Sequence, residues 1–290
     1  MTTQETRREL TGREASASLP GKERRDPSFR VALLCHALFL ICAVATAQSA
    51  ADFGESYRKT EVVPGVWSIV EDDSVNMFLV IGAKKALLID TGYGRKNLAA
   101  YVRTITSLPI TVVNTHGHPD HSGGDSRFAE IYAHPADMAT VKSYMSEKAR
   151  FIPVTDGFTF ELGGRSLSVI EVPGHTAGSI ALLDGGNKLL FTGDNNNGHI
   201  WLFLRESRSL ETYLKSLDRL IARSREYDAL YLGHGDPYDP AYLLEIRACG
   251  QSILSGKGTG RPYPRFANAI AYDYGRAKIV VNPKKLRETD

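Results

Sequence analysis

The chain has 290 residues, 42% of them hydrophobic, so it is long enough to bury one sizeable core. The formal net charge is only +2; the first 47 residues hold seven of the 35 basic and five of the 33 acidic side chains, which leaves 28 of each sign. A balanced charge gives no bulk electrostatic attraction to nucleic acid, so we expect a small-molecule substrate and no nucleic-acid partner.

The N-terminal region carries an apolar stretch typical of a signal peptide. Residues 31–45 are predominantly apolar, follow the basic Arg30 and lead into Ala45-Thr46-Ala47. The stretch is too short to span a bilayer comfortably, so we expect no stable membrane anchor, with a retained anchor as the alternative. We therefore predict a leader with a signal peptide over residues 1–47 and one hydrolase domain over residues 48–290. We expect export, to the periplasm or as a secreted protein.

The first half of the predicted domain alternates strands with helices. Apolar and β-branched runs predict strands over residues 62–70, 77–81, 86–89 and 110–114. Helical periodicity predicts helices over residues 97–105, 125–130 and 135–149. The last of these opens with Pro135 and the acidic Asp137, as helix starts prefer.

The second half repeats this plan. Strands are predicted over residues 158–161, 166–172, 179–183 and 188–191, with a hairpin turn at 184–187. Ser209 is a suitable N-cap for an amphipathic helix, and a strand over residues 229–232 and a helix over residues 240–254 follow. An α/β fold of two sheets packed face to face, with helices outside, is what this alternation would build.

A histidine-rich motif follows the strand predicted at 110–114. Residues two apart in extended backbone project to the same side, so His116 and His118 can share one cation. Asp120 and His121, where the chain turns toward a helix, can reach a second cation. Imidazole with carboxylate suits zinc, with iron or manganese possible, and the absence of thiolate argues against a purely structural zinc cluster.

Three later segments add ligand candidates, each at the end of an apolar strand. His175 lies in a glycine-rich turn, Asp194 follows the strand predicted at 188–191, and His234 follows the strand predicted at 229–232. A core that directs several strand ends to one edge brings such side chains together there. The sequence therefore predicts a metal centre that can activate water.

Together, these motifs resemble those of the metallo-β-lactamase superfamily over residues 62–238. The matching segments are His-x-His-x-Asp-His at 116–121, Gly-His-Thr-x-Gly-Ser at 174–179, Thr-Gly-Asp at 192–194, Gly-His-Gly at 233–235 and Leu-Leu-Ile-Asp-Thr-Gly at 87–92. The resemblance implies an αββα sandwich of two mixed β-sheets flanked by helices. It also implies ligand roles: His116, His118 and His175 would hold a first ion, Asp120, His121 and His234 a second, and Asp194 would bridge both. Asp90 would bond to the ligand loop from behind.

The activity that the resemblance implies is metal-dependent hydrolysis. Hydroxide activated between two zinc ions would attack an ester, lactone, thioester or amide-type bond, with Asp120 as a proton shuttle. β-Lactamases of the superfamily generally carry cysteine or serine where this chain has Asp194, so we expect β-lactam hydrolysis to be weak or secondary. A β-lactamase, a phosphodiesterase and a metal-binding pseudoenzyme are the alternatives.

Some features allow both a structural and a functional interpretation. His199 either faces substrate or lies in a solvated loop, and the apolar run at 200–204 either forms the wall of a pocket or packs in the core. Residues 255–286 are rich in glycine, proline and tyrosine and are expected to fold over the site as a lid or wall. His134 is predicted to end a strand, and Cys249 to pack in the core.

Overall fold

The computed structural model describes residues 57–264 and 266–288 of the chain, and the predicted leader over residues 1–47 lies outside them. A first sheet has seven strands in sequential order. They are β1 (Tyr57–Val63), β2 (Val66–Glu71), β3 (Val75–Ile81), β4 (Ala86–Ile89), β5 (Ile110–Val113), β6 (Glu130–Ala133) and β7 (Arg150–Pro153). Strands β1 to β4 pair antiparallel and β4 to β7 pair parallel, so the sheet is mixed.

Two further sheets are built from the rest of the chain. The remaining strands are β8 (Thr159–Glu161), β9 (Ser166–Glu171), β10 (Ile180–Asp184), β11 (Leu189–Gly193), β12 (His199–Leu202), β13 (Ala229–Leu232), β14 (Gly260–Pro262), β15 (Ile270–Tyr274) and β16 (Ala277–Val281). The second sheet has the order β13-β11-β10-β9-β8, and the third has the order β12-β16-β15-β14. The second sheet is also mixed, because β11 and β13 pair parallel and the other neighbours antiparallel.

Five helices lie along the described chain. They are α1 (Leu98–Arg103), α2 (Pro119–Ser122), α3 (Met138–Lys142), α4 (Leu210–Ala222) and α5 (Tyr242–Leu254). Ser209 is the N-cap of α4, as predicted, and its hydroxyl accepts from the backbone N–H of Thr212. No helix within residues 57–264 and 266–288 is long and apolar enough to cross a membrane.

Successive side chains of the central strands pack on opposite faces of their sheet, and this produces the layers of the fold. On β4, Leu87 packs between the two large sheets, whereas Leu88 packs on the outer face with α1. On β10, Leu182 packs between the sheets and Leu183 packs outward with α4 and α5. Because successive side chains of a strand point to opposite faces, each sheet buries both sides. The order helix, sheet, sheet, helix confirms the predicted αββα sandwich.

The single strand predicted over residues 62–70 is wrong. The chain turns at Pro64 and Gly65 and forms two antiparallel strands, β1 and β2. Proline has no N–H for a sheet ladder, and Gly65 has a φ of 74°, which favours glycine.

The helices predicted over residues 125–130 and 135–149 are also wrong in extent. Residues Asp125–Arg127 form a single 3-10 turn, and Glu130 already begins β6. The second helix ends at Lys142, and the chain continues into β7, which the sequence analysis missed. Val141 is the fully buried residue of α3, so little apolar packing is available to extend that helix.

Candidate metal centre

The predicted ligands lie in the segments that follow four strands, β5, β9, β11 and β13, and two of them, Asp120 and His121, lie in the short helix α2. The predicted ligands are His116, His118, Asp120, His121, His175, Asp194 and His234. The structure brings all of them together in two groups, one of three histidines and one of four mixed side chains. Within each group, the potential ligand atoms lie within 4.8 Å of one another.

The three-histidine group consists of His116, His118 and His175. Nδ1 of His118 lies 3.1 Å from Nε2 of His116 and 2.9 Å from Nε2 of His175. All three ring nitrogens therefore point at one small region. Three imidazole ligands of this kind suit a tetrahedral cation whose fourth position stays open to water or substrate.

The mixed group consists of Asp120, His121, Asp194 and His234. Asp194 Oδ1 lies 3.1 Å from Nε2 of His121 and 3.4 Å from Nε2 of His234, and Asp120 Oδ2 lies 3.3 Å from the same atom of His234. The other oxygen of Asp194, Oδ2, lies 3.6 Å from Nε2 of His175. Asp194 thus presents one oxygen to each group, as a bridging ligand would.

Two buried atoms at this centre lack satisfactory partners. Within the described chain, neither Oδ1 of Asp194 nor Nε2 of His121 makes a hydrogen bond of acceptable geometry, although they are 3.1 Å apart. Buried polar atoms are nearly always satisfied, so unpaired ones need a physical reason. A cation between these atoms would supply it, and the donor set therefore fits metal ions.

The charges at the centre also favour cations. Burial and the neighbouring His121 hold the pKa of His116 well below its usual value, which leaves its ring neutral and able to coordinate. Burial acts to lower the pKa of His121, but the carboxylate of Asp194 helps to outweigh it and that pKa lies well above its usual value. Burial also acts to lower the pKa of His234, but Asp194 helps to raise that pKa to about 10. The carboxylate of Asp194 attracts positive charge, and a bound metal ion can supply that charge in place of the protons on the histidines.

The second ring nitrogen of every ligand histidine has its own partner. The pairs are His116 Nδ1 with Thr115 Oγ1 at 3.1 Å, His118 Nε2 with Glu206 Oε1 at 2.6 Å, His121 Nδ1 with Asp90 Oδ2 at 2.9 Å, His175 Nδ1 with the Trp201 carbonyl at 2.9 Å, and His234 Nδ1 with the Ser74 carbonyl at 2.7 Å. Such contacts fix the tautomer and the orientation of each ring, with its other nitrogen facing the centre.

Asp90 holds the ligand loop from behind. Its carboxylate accepts from the backbone N–H of Thr115 at 2.7 Å and from the Thr115 hydroxyl at 2.8 Å, in addition to its contact with His121. Asp90 is almost fully buried, has a φ of 63° and does not line the cleft above the centre. This placement supports a positioning role rather than direct contact with substrate.

Asp137 ties two ligand loops together, and the sequence analysis missed this role. Its carboxylate accepts from the backbone N–H groups of Gly117 at 3.0 Å and Gly178 at 2.9 Å, and from the hydroxyl of Thr176 at 2.6 Å. These contacts link the loop that carries His116 to the loop that carries His175. The local sequence indicates only a helix start at Asp137, since its partners are 20 to 41 residues away in the chain.

Two motif glycines allow the loops to approach each other. Gly193 has a φ of 51°, and a Cβ there would lie 2.4 Å from Oγ1 of Thr115. A Cβ on Gly233 would lie 2.1 Å from Oδ1 of Asp194. A larger residue at position 193 would clash with Thr115 beside the ligand His116, and one at position 233 would displace Asp194 from the mixed group.

An open cleft of about 680 Å³ lies directly above the centre. Asp120 and His199 line it, so the structure favours the substrate-facing interpretation of His199. The apolar run at residues 200–204 has both roles, since Trp201 and Leu204 line the cleft and Ile200 packs in the core.

The described part of residues 255–286 does not form a lid on the cleft, although Tyr263 and Phe266 pack against the cleft residue Trp201. In the part of the chain that the structure describes, no residue beyond Tyr238 lines the cleft. Strand β16 instead pairs with β12, because alternate apolar side chains such as Ile279 pack against the core. His134 bonds to Glu171 away from the cleft, and Cys249 is buried in the core as predicted.

Comparison with known proteins agrees with this geometry. The model of the metallo-beta-lactamase superfamily matches residues 70–234. Acyl-coenzyme A thioesterase MBLAC2 of Gallus gallus is 31% identical over 156 residues, covering 41% of this chain and 56% of the relative. Thioesterase pkgB of Emericella nidulans is 34% identical over 165 residues, covering 56% and 46%. The chain thus spans about half the length of these relatives.

Solved structures show the same fold at lower identity. A metallo-beta-lactamase from Pontibacter korlensis superposes with a TM-score of 0.57 at 21% identity, covering 67% of this chain and 98% of that one. Because the family match extends over more than half of the chain and includes all the predicted ligands, the chain belongs to the metallo-β-lactamase superfamily of hydrolases.

Proposed function

We propose that this hydrolase cleaves the thioester bond of an acyl thioester with the help of two zinc ions. The observation that carries the dinuclear centre is Asp194, which presents one carboxylate oxygen to each ligand group. The choice of a thioester as the bond is supported by the two relatives named above, since both carry the name of a thioesterase.

The two groups of ligands would each hold one of the two ions. His116, His118 and His175 would hold the first, Asp120, His121 and His234 the second, and Asp194 both. Bound at these positions, the ions would supply Lewis acidity and a water of lowered pKa, about 7.

Asp120 is placed to move the proton. It lines the cleft, and its Oδ2 faces His234 at 3.3 Å. We propose that its carboxylate takes the proton of the attacking water and passes it to the leaving sulfur. A thiol has a pKa of about 8.5, so a thiolate leaves with less protonation than the amine of an amide or β-lactam requires. A weak acid such as an aspartate is sufficient for a thioester.

The test is a substrate panel run on the purified chain, stripped of metal and then reloaded with zinc. The panel contains acyl-coenzyme A thioesters, S-lactoylglutathione, simple esters, lactones, β-lactams and phosphodiesters. We expect the thioesters to have the highest kcat/KM, within the range of about 10⁴ to 10⁸ M⁻¹s⁻¹ typical of native substrates. Turnover of a β-lactam or a phosphodiester in that range, without turnover of thioesters, would replace this proposal.

A matched pair of histidine variants separates catalysis from folding. His116→Ala removes a ligand of the three-histidine group and should abolish most of the hydrolysis. His134→Ala removes a histidine that bonds to Glu171 away from the cleft and should leave the activity unchanged. Equal activity of both variants would contradict the proposed centre.

A further inference from the structure

A second cavity, of about 510 Å³, adjoins the catalytic cleft and is lined by a concentration of basic side chains. Its charged lining residues are Arg205, Arg208, Lys284, Lys285 and Arg287, with Glu206 and Glu288 as the carboxylates. Glu206 lines both cavities, so the two are adjacent at that residue. The chain as a whole has a net charge of only +2, so this excess of positive charge is local.

The two carboxylates offset only part of this positive charge, because five basic side chains line the cavity against two acidic ones. Oε1 of Glu206 bonds to His118 in the metal centre at 2.6 Å. Glu288 accepts from the hydroxyl of Thr212 at 2.7 Å and from Nζ of Lys215 at 3.2 Å. Within the described residues, neither carboxylate forms an ion pair with a basic side chain that lines the cavity.

Three of the basic residues, Arg205, Arg208 and Lys284, form what we call the basic rim. All three are exposed, and none forms an ion pair with a carboxylate of residues 57–264 or 266–288. Arg208 acts on Glu288 only at longer range. Their charged groups are thus available to an anionic ligand.

The backbone beneath the basic rim is tied to the metal centre. Nζ of Lys285 donates to the carbonyls of Leu204 at 3.0 Å, Arg205 at 2.7 Å and Ser207 at 3.3 Å. The hydroxyl of Ser207 in turn donates to the carbonyl of the ligand His175 at 2.9 Å. These bonds place the backbone that carries Arg205 next to the loop that carries the ligand His175.

We propose that the basic rim binds the phosphate groups of a phosphorylated thiol carrier, coenzyme A, while the thioester carbonyl lies at the metal centre. This inference rests on the proposed thioesterase function and adds the leaving group that the enzyme recognises. Guanidinium groups bind phosphate through paired hydrogen bonds, and lysine adds a point charge. The apolar side chains of Trp201 and Leu204 line the cleft and suit the acyl group.

The test compares two thioesters of the same acyl group, one of coenzyme A and one of N-acetylcysteamine, which carries no phosphate. The rim variant is Arg205→Ala/Arg208→Ala/Lys284→Ala. Its kcat/KM for the coenzyme A thioester should fall by on the order of tenfold, since exposed charge pairs are individually weak. The N-acetylcysteamine thioester should be hydrolysed at the unchanged rate. Added salt should slow the unchanged protein on the coenzyme A thioester and have little effect on the rim variant.

The matched control is Arg127→Ala/Lys148→Ala/Arg225→Ala. It removes the same charges from exposed residues that line neither the cleft nor the basic cavity, and should behave as the unchanged protein with both substrates. An equal effect of the control and the rim variant would overturn the inference. A rim variant that keeps full activity on the coenzyme A thioester would also overturn it, and so would one that loses activity equally on both substrates. Full activity of the rim variant would leave the thioesterase proposal standing.

Calorimetric titration of free coenzyme A into the metal-stripped protein separates the two proposals. Weaker binding by the rim variant than by the control supports the phosphate site even if no thioester is hydrolysed, in which case the thioesterase proposal alone fails. Equal binding by both variants overturns the phosphate site.

Discussion

Replacement of Glu206 should weaken metal binding at the three-histidine group without unfolding the protein. Glu206 accepts from Nε2 of His118 at 2.6 Å, which keeps Nδ1 of that ring directed toward His116 and His175. Without this partner the ring loses both an orientation constraint and some basicity, and contacts of this type contribute about 10-fold to 100-fold in metal affinity.

Burial decides where in that range each supporting carboxylate falls. The side chain of Glu206 is 46% exposed, whereas that of Asp90, which supports His121, is 3% exposed. Water can replace Glu206 far more readily than Asp90. We therefore expect zinc affinity to fall about tenfold in Glu206→Ala and about a hundredfold in Asp90→Asn, with Glu206→Gln in between the unchanged protein and Glu206→Ala.

Competition with a zinc chelator at neutral pH measures these affinities, and circular dichroism confirms that each variant is folded. Glu147→Ala is the matched control, because Glu147 is exposed and lines neither cavity. Zinc affinity of Glu206→Ala within about twofold of the control would refute the reasoning. A larger loss for Glu206→Ala than for Asp90→Asn would refute the argument from burial.

Four further predictions concern stability, ligation and processing. Leu182→Ala, in the core between the sheets, should lower the free energy of unfolding by about 2–5 kcal/mol in urea denaturation, and a change below about 1 kcal/mol would contradict that packing. Burial raises the pKa of Asp125 to about 7, so the free energy of unfolding should fall as pH rises from about 4 to about 7. The Asp125→Asn variant should lack this fall, and parallel pH profiles of the variant and the unchanged protein would contradict the prediction. Asp194→Ser should lower zinc content and thioester hydrolysis together, and full retention of both would exclude a bridging role. We also propose that residues 1–47 direct export, so N-terminal sequencing of exported protein should begin near Gln48; an intact leader in the soluble cytoplasmic fraction would contradict it.

The ligand candidates could be predicted from sequence because each lies in a short motif at a strand end. A single pair such as His116 and His118 is weak evidence, but the ordered set of motifs at four strand ends indicates a metal centre. Loops after neighbouring strands then meet at one edge of the sandwich. The structure brings these residues together as that reasoning expected.

The residues that support the ligands could not be predicted in the same way. Glu206 is 88 residues from His118, and Asp137 is 39 residues from Thr176, so neither pair forms a local pattern. Their partners become neighbours only when the loops fold together. The local sequence indicates Asp137 only as an acidic residue at a predicted helix start.

The fold was predictable at the level of layers rather than of individual elements. Strands such as β4 and β10 have continuous apolar residues and were located closely. Strand β7 was missed because its two central residues are only partly buried and its two end residues are exposed, so no continuous apolar run marks it. The third sheet depends on pairing between β12 and β16, far apart in the chain, which local propensity does not reveal.

The most direct test of the account is a zinc titration of the metal-stripped protein, with bound metal measured by elemental analysis and thioester hydrolysis measured on the same samples. The two ligand groups joined by Asp194 predict about two ions per chain, with activity completed only when both groups are filled. At most one ion per chain under zinc-replete conditions, or full hydrolysis with no metal bound, would contradict the dinuclear centre.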